Sequence, residues 1–115
     1  MARVLVVEDE LLIADDLTHK LHHLGHTVVG QAITAESAVQ KVSDVQPDLV
    51  LMDIRLRGKM SGLEAARRIQ DVHPIPIVFV TAHASAIETH PSFVITKPFT
   101  LDQIESVIKR ACGAT

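Results

Sequence analysis

Short, wholly apolar runs alternate with helical stripes along this chain. Val4-Leu5-Val6-Val7 has no polar position, which suits a strand covered on both faces. From Glu10 to about Leu24 the period lengthens. Ile13, Leu17, Leu21 and Leu24 share a helical stripe, and Gly25 follows where a C-terminal cap is expected. Thr27-Val28-Val29-Gly30 reads as a shorter, more polar strand nearer a sheet edge. Thr34 is placed to cap a second helix whose inner stripe is Ala35, Ala38, Val39, Val42 and Val45, stopped by Pro47. The cycle repeats with a buried strand over Leu49–Asp53, a loop containing Gly58, and a capping-box pattern, Ser61 with Glu64. That box opens a helix to about Val72, ended by His73-Pro74. Ile75–Val80 predicts another buried strand with Pro76 at its beginning, and Phe93–Thr96 a short last one. Thr100 with Gln103 forms a second capping box, with Leu101, Ile104, Val107, Ile108 and Ala111 facing inward.

Strands alternating with helices imply right-handed crossovers and a parallel sheet covered on both faces: a small doubly wound α/β fold of five strands. The chain has 115 residues, 47% of them hydrophobic, so one domain over 1–115 with a core that needs no staples is expected. Eleven Lys and Arg against fourteen Asp and Glu leave no basic excess for tracking phosphates, and the lack of Trp and Tyr disfavours base stacking; no nucleic-acid partner is expected. The single cysteine, Cys112, is read as a minor core contact in a protein of a reducing, cytoplasmic compartment. No apolar run approaches the roughly 18–20 residues of a membrane span, so no membrane insertion is expected.

In such sheets ligand chemistry lies outside the carboxyl ends of the strands. Read in order, those ends are Glu8-Asp9, Asp53, Thr81 and Lys97. One acid after a strand means little, because these loops are polar anyway. Three carboxylates, a hydroxyl and a lysine on one edge of one sheet form a set. The carboxylates would raise one another's pKa unless a cation intervened, and a hard divalent ion such as Mg²⁺ suits them. A carboxylate nucleophile beside Mg²⁺ and an ammonium is equipment for phosphoryl transfer to aspartate. Asp53 is the expected acceptor because it is the solitary acid on its strand; Glu8 and Asp9 would hold the ion, and Lys97 would neutralise the phosphoryl group.

The series VLVVEDE, LVLMDIRL, FVTAH and ITKPF resembles the receiver domain of bacterial two-component response regulators over essentially the whole chain. The resemblance implies the flavodoxin-like strand order 2-1-3-4-5. It also implies a phosphoryl group received by Asp53 from a sensor histidine kinase or histidine phosphotransfer protein, and an unnamed downstream protein partner. Mg²⁺ would be held by Glu8, Asp9, Asp53 and the backbone carbonyl of Arg55. Thr81 and the backbone amide of Ala82 would bind phosphoryl oxygens, Lys97 would pair with the group, and Lys97-Pro98 would be a cis peptide. Such a chain would act as a monomer or weak homodimer and turn over no external substrate.

Two departures from the family stand out. An aromatic usually lies three residues before the lysine and moves with the threonine as a switch; Val94 stands there. Thr81 and Lys97 lie close together in sequence, so the fourth helix is expected to be shortened or missing, and the segment 82–92 to order on phosphorylation. These features look most like the receivers of general stress-response regulators that sequester anti-sigma factors. A phosphohydrolase would carry a second acid two residues after the nucleophile, where Arg55 stands. A degenerate, phosphorylation-independent receiver is opposed by the intact acid set. His19, His22, His23 and His26 are read as a solvated helical stripe, and His83 as a loop residue near the site. The basic run Arg55, Arg57, Lys59 is read as a solvated border of that site.

Overall fold

The computed structural model describes residues 1–56, 58–81 and 93–113. Within them the chain runs β1 (Arg3–Val7), α1 (Leu11–His23), β2 (Thr27–Ala32), α2 (Ala35–Val45) and β3 (Leu49–Asp53). It continues through α3 (Gly62–Val72), β4 (Ile77–Thr81), β5 (Phe93–Thr96) and α4 (Leu101–Gly113). The five strands form one parallel sheet in the order β2-β1-β3-β4-β5. The expected reshaping of the fourth helix falls on 82–92, outside the described residues.

Apolar runs without alternation are explained by two cores, one on each face of the sheet. Leu5, Val7, Val50, Met52, Ile77 and Phe79 pack with Ala35, Ala38 and Val42 of α2 and Ala65, Ala66 and Ile69 of α3. The intervening positions, Val4, Val6, Leu49, Leu51, Val78 and Val80, pack with Leu17 and Leu21 of α1 and Ile104, Val107 and Ile108 of α4. Successive side chains in a strand point to opposite faces, so a central strand here has no position free to be polar until its end.

The caps follow the local sequence. Thr34 Oγ1 accepts from the Ser37 amide, and Ser61 Oγ from the Glu64 amide at 3.1 Å. The Thr100–Gln103 box is reciprocal: Gln103 N donates to Thr100 Oγ1, and Thr100 N to Gln103 Oε1. The Glu64 carboxylate is taken by Arg67 and Arg68 on the surface. Gly25, at φ +90°, ends the turn after α1.

Four expectations need correction. The second strand extends to Ala32 rather than stopping at Gly30, because its last residues pair with Val6 and Val7. The fourth strand starts at Ile77, not Ile75; Pro76 has no N–H to give the ladder, although its carbonyl accepts from Val50 N. His26 is not on the helical stripe, since α1 ends at His23 and Gly25 redirects the chain; only His19, His22 and His23 share the helix, and all three are exposed. Cys112 is exposed rather than a core contact, the inward stripe of α4 having ended at Ala111.

Candidate functional site

The strand ends converge as the alternation predicts. The chain leaves β1 into Glu8 and Asp9, β3 ends on Asp53, β4 on Thr81, and Lys97 follows β5. The parallel register sets Asp53 beside Val80 and Thr81 beside Thr96, and the Lys97 amide donates to the Thr81 carbonyl at 2.8 Å. Glu8, Asp53 and Thr81 are the buried polar residues of the described chain, 2%, 7% and 4% exposed. Asp9 is half-buried beside them.

One oxygen from each of Glu8, Asp9 and Asp53 lies within 4.8 Å of the others. Lys97 Nζ donates to Glu8 Oε1 at 3.0 Å and to Asp53 Oδ2 at 3.3 Å. Both ends of the Asp53 carboxylate are held, because the Arg55 amide donates to Oδ1 at 3.1 Å. The Glu10 amide likewise donates to Glu8 Oε2 at 3.1 Å. Two buried carboxylates thus share the Lys97 ammonium, with Asp9 beside them.

Burial pushes the Glu8 carboxyl up to about 7, and the charge of Asp53 adds to the rise, while the Glu10 amide and Lys97 oppose it. Burial also works against the Lys97 ammonium, but its bonds to Glu8 and the charges of Asp53 and Glu8 prevail and hold its pKa above the ordinary lysine value. A hard cation fits this donor set: three carboxylate oxygens in reach of one another and no soft ligand among them. The cluster could therefore hold a metal ion.

Of the residues singled out in sequence, Glu8, Asp9, Asp53, Thr81 and Lys97 come together. Lys97-Pro98 is cis. Val94 is half-buried, in register with Phe79 and packed on the core that includes it. Ala82, His83 and Arg57 lie outside the described residues. The direct grip of Lys97 on Glu8 was not foreseen. Neither was Gly62, whose missing side chain lets α3 rest against the Asp53 carbonyl; a Cβ there would stand 2.3 Å from that oxygen. A glycine opening a helix right after its cap was the available signal.

The family described as response regulator receiver domain matches residues 4–109. The chain is 38% identical over 113 residues to the phyllosphere-induced regulator PhyR of Methylorubrum extorquens, covering 94% of this chain and 42% of that protein. Among solved structures it is similar to the anti-anti-sigma factor PhyR of Bartonella quintana, with a TM-score of 0.89, 37% identity, and coverage of 98% of this chain and 48% of that one. It is also similar to the signal receiver domain of a modulated diguanylate cyclase of Desulfovibrio desulfuricans. There the TM-score is 0.90 and the identity 32%, over 99% of this chain and 95% of that one. The chain thus spans less than half of either PhyR.

Proposed function

The chain belongs to the response regulator receiver domain family, and from that premise we propose that residues 1–115 act as one cytoplasmic receiver domain whose phosphoacceptor is Asp53. An oxygen of Asp53 attacks the phosphorus of a phosphohistidine on a sensor kinase or phosphotransfer protein; the P–N bond breaks as the P–O bond forms, and the imidazole leaves. Glu8, Asp9, Asp53 and the Arg55 carbonyl would hold Mg²⁺, which would supply the charge that lets an anionic donor approach an acidic pocket. Lys97 gives up Asp53 Oδ2 to pair with the arriving phosphoryl group, and the Thr81 hydroxyl and Ala82 amide receive its other oxygens. With Val94 in place of an aromatic, no large ring follows Thr81, and the response passes to the segment after it. The domain modifies no external substrate. Its output partner is a protein, and the similarity to anti-anti-sigma factors favours an anti-sigma factor.

The observation that carries this reading is the buried Asp53 carboxylate, 3.3 Å from Lys97 Nζ and within 4.8 Å of two further acids. The test is incubation with Mg²⁺ and a small phosphodonor, followed by intact mass. Wild type should gain one phosphoryl group and Asp53→Ala none. A gain that survives in Asp53→Ala moves the acceptor elsewhere and overturns the assignment; no gain in wild type overturns it and returns the degenerate, phosphorylation-independent receiver.

A further inference from the structure

The β3–α3 connection starts at the acceptor and ends by folding back onto it. The Gly62 amide, first in α3, donates to the Ile54 carbonyl at 3.0 Å. An ideal Cβ on Gly62 would lie 2.3 Å from the Asp53 carbonyl oxygen, 2.9 Å from Ile54 Cα and 3.1 Å from the Asp53 carbonyl carbon. All three are main-chain atoms, so no side chain could swing away to make room. Gly62 does not adopt a positive φ, unlike Gly25 and Gly58, so its glycine is not required by backbone conformation. Helix propensity does not favour glycine either; in a helix interior it is roughly 1 kcal/mol worse than alanine. What the position requires is the absence of a side chain against Asp53.

We propose that Gly62 is a positioning residue for phosphoryl acceptance: the bare helix start seats the Asp53–Arg55 main chain, and so fixes where the acceptor carboxylate stands. This rests on the reading of Asp53 as phosphoacceptor. The seat lies directly behind the reacting group. The Arg55 amide that holds Asp53 Oδ1 belongs to the same three-residue turn, and Oδ2 faces Lys97 across the pocket. A displacement of the turn therefore carries Oδ1 along with its amide and moves Oδ2 relative to the ammonium.

The distances decide how large the effect should be. Contacts below 3.0 Å are not tolerated by real Cβ atoms, so a methyl at 62 requires a retreat of about 0.7 Å, from 2.3 to 3.0 Å. Reactive constellations tolerate about 0.5 Å of misplacement, and about 1 Å can cost a hundredfold in rate. Both sides of the contact are anchored: Asp53 closes a strand between β1 and β4, and α3 is held by Ala65, Ala66 and Ile69 in the core and by its clasp on Ile54. The shift is therefore shared between them, and the Asp53 turn takes part of it.

The experiment compares Gly62→Ala with Ser61→Ala, which removes the neighbouring cap bond to the Glu64 amide and loosens the same helix without touching Asp53. Both are read at a temperature where urea curves show them folded. A stabilising osmolyte is added if Gly62→Ala needs it, since osmolytes strengthen burial without entering the site. Mg²⁺ affinity is measured by calorimetry, and the maximal rate and half-saturation with a small phosphodonor by intact mass. Gly62→Ala should lose about tenfold to a hundredfold in maximal rate. It should also bind Mg²⁺ several-fold more weakly, with donor half-saturation little changed. Ser61→Ala should keep all three values. Wild-type rate and Mg²⁺ affinity in folded Gly62→Ala, or equal losses in Ser61→Ala, overturn the positioning role. Asp53→Ala run alongside separates the claims: if it still gains a phosphoryl group, the acceptor reading itself fails.

Discussion

The two ends of the same sheet handle charge in opposite ways. At the amino end Arg3, Asp48 and His26 are each closed off by bonds to the main chain. The Arg3 guanidinium donates to the Gln46 and Val45 carbonyls at 2.7 and 2.8 Å, placing a cation on the C-terminal carbonyls of α2. Asp48 Oδ2 accepts from the Arg3 amide, and His26 Nδ1 from the Ala2 amide at 3.0 Å. At the carboxyl end one oxygen from each of three carboxylates gathers within 4.8 Å, two of these acids share Lys97, and burial pushes Glu8 up to about 7. The amino end spends its polar groups on holding the fold. The carboxyl end holds a repulsion between Glu8 and Asp53 that a cation can relieve. That difference marks the site more firmly than the presence of polar residues does, because both ends have those.

The contrast breaks most visibly at Lys97. Replacing it by methionine leaves Glu8 and Asp53 without their cation. Losing one partner of a fully buried pair costs roughly 3–5 kcal/mol; the Lys97 side chain is 18% exposed, so a metal-free loss of about 2 kcal/mol is expected. Saturating Mg²⁺ should recover most of it, since the ion replaces the missing charge. Urea unfolding with and without Mg²⁺ measures both; a loss that Mg²⁺ leaves untouched would mean that the acids do not act as one cluster. Asp9→Asn removes a full ligand charge while leaving the lysine in place. Mg²⁺ binding should weaken several-fold by calorimetry, and unchanged affinity takes Asp9 out of the metal site. The amino-end counterpart is Arg3→Ala. Two charge-assisted bonds to helix carbonyls are lost from an exposed position, for about 1 kcal/mol. That loss should be the same with and without Mg²⁺, and any dependence on the ion would dissolve the distinction between the two ends.

What could be read from the sequence was local or periodic. The ends of β1, β3, β4 and β5 were marked by the polar residues that follow an apolar run, and with a parallel sheet this brought Glu8, Asp9, Asp53, Thr81 and Lys97 to one edge. Thr34 and the Thr100–Gln103 box were legible because a cap spans three residues. The grip of Lys97 on Glu8 joins positions 89 apart, and nothing near either residue says which acid the lysine meets before a phosphoryl group arrives. His26 was misplaced because a helical period was carried across Gly25, whose φ of +90° stops the helix. The contact of Gly62 with the Asp53 carbonyl depends on how closely two elements approach, a distance that no pattern of residue types contains.

The smallest expected effect is a pair of opposed pH slopes, one from each end. Glu8 has a folded pKa of about 7 against an ordinary value of 4.5, so the folded chain keeps a proton that the unfolded chain has released between those values. Its contribution to stability therefore falls as pH rises from 4.5 to 7 and levels off above. His26 is shifted the other way: burial holds its pKa below 6.5, and its Nδ1 must stay unprotonated to accept the Ala2 amide. Below 6.5 the unfolded chain takes up a proton that the folded chain refuses, so the His26 contribution falls as pH drops. Across the shared window, 4.5 to 6.5, the two partly cancel in wild type, each limited to about 1.4 kcal/mol per pH unit. Single variants separate them. Relative to wild type, Glu8→Gln should lose stability on acidification through that window, and His26→Gln should gain it. Mg²⁺ bound at the acid cluster would hold Glu8 ionised, so it should give wild type the slope of Glu8→Gln while leaving the difference made by His26→Gln in place. Urea midpoints across the window, with and without Mg²⁺, measure this; parallel pH curves for the two variants would show that the ends titrate as one system.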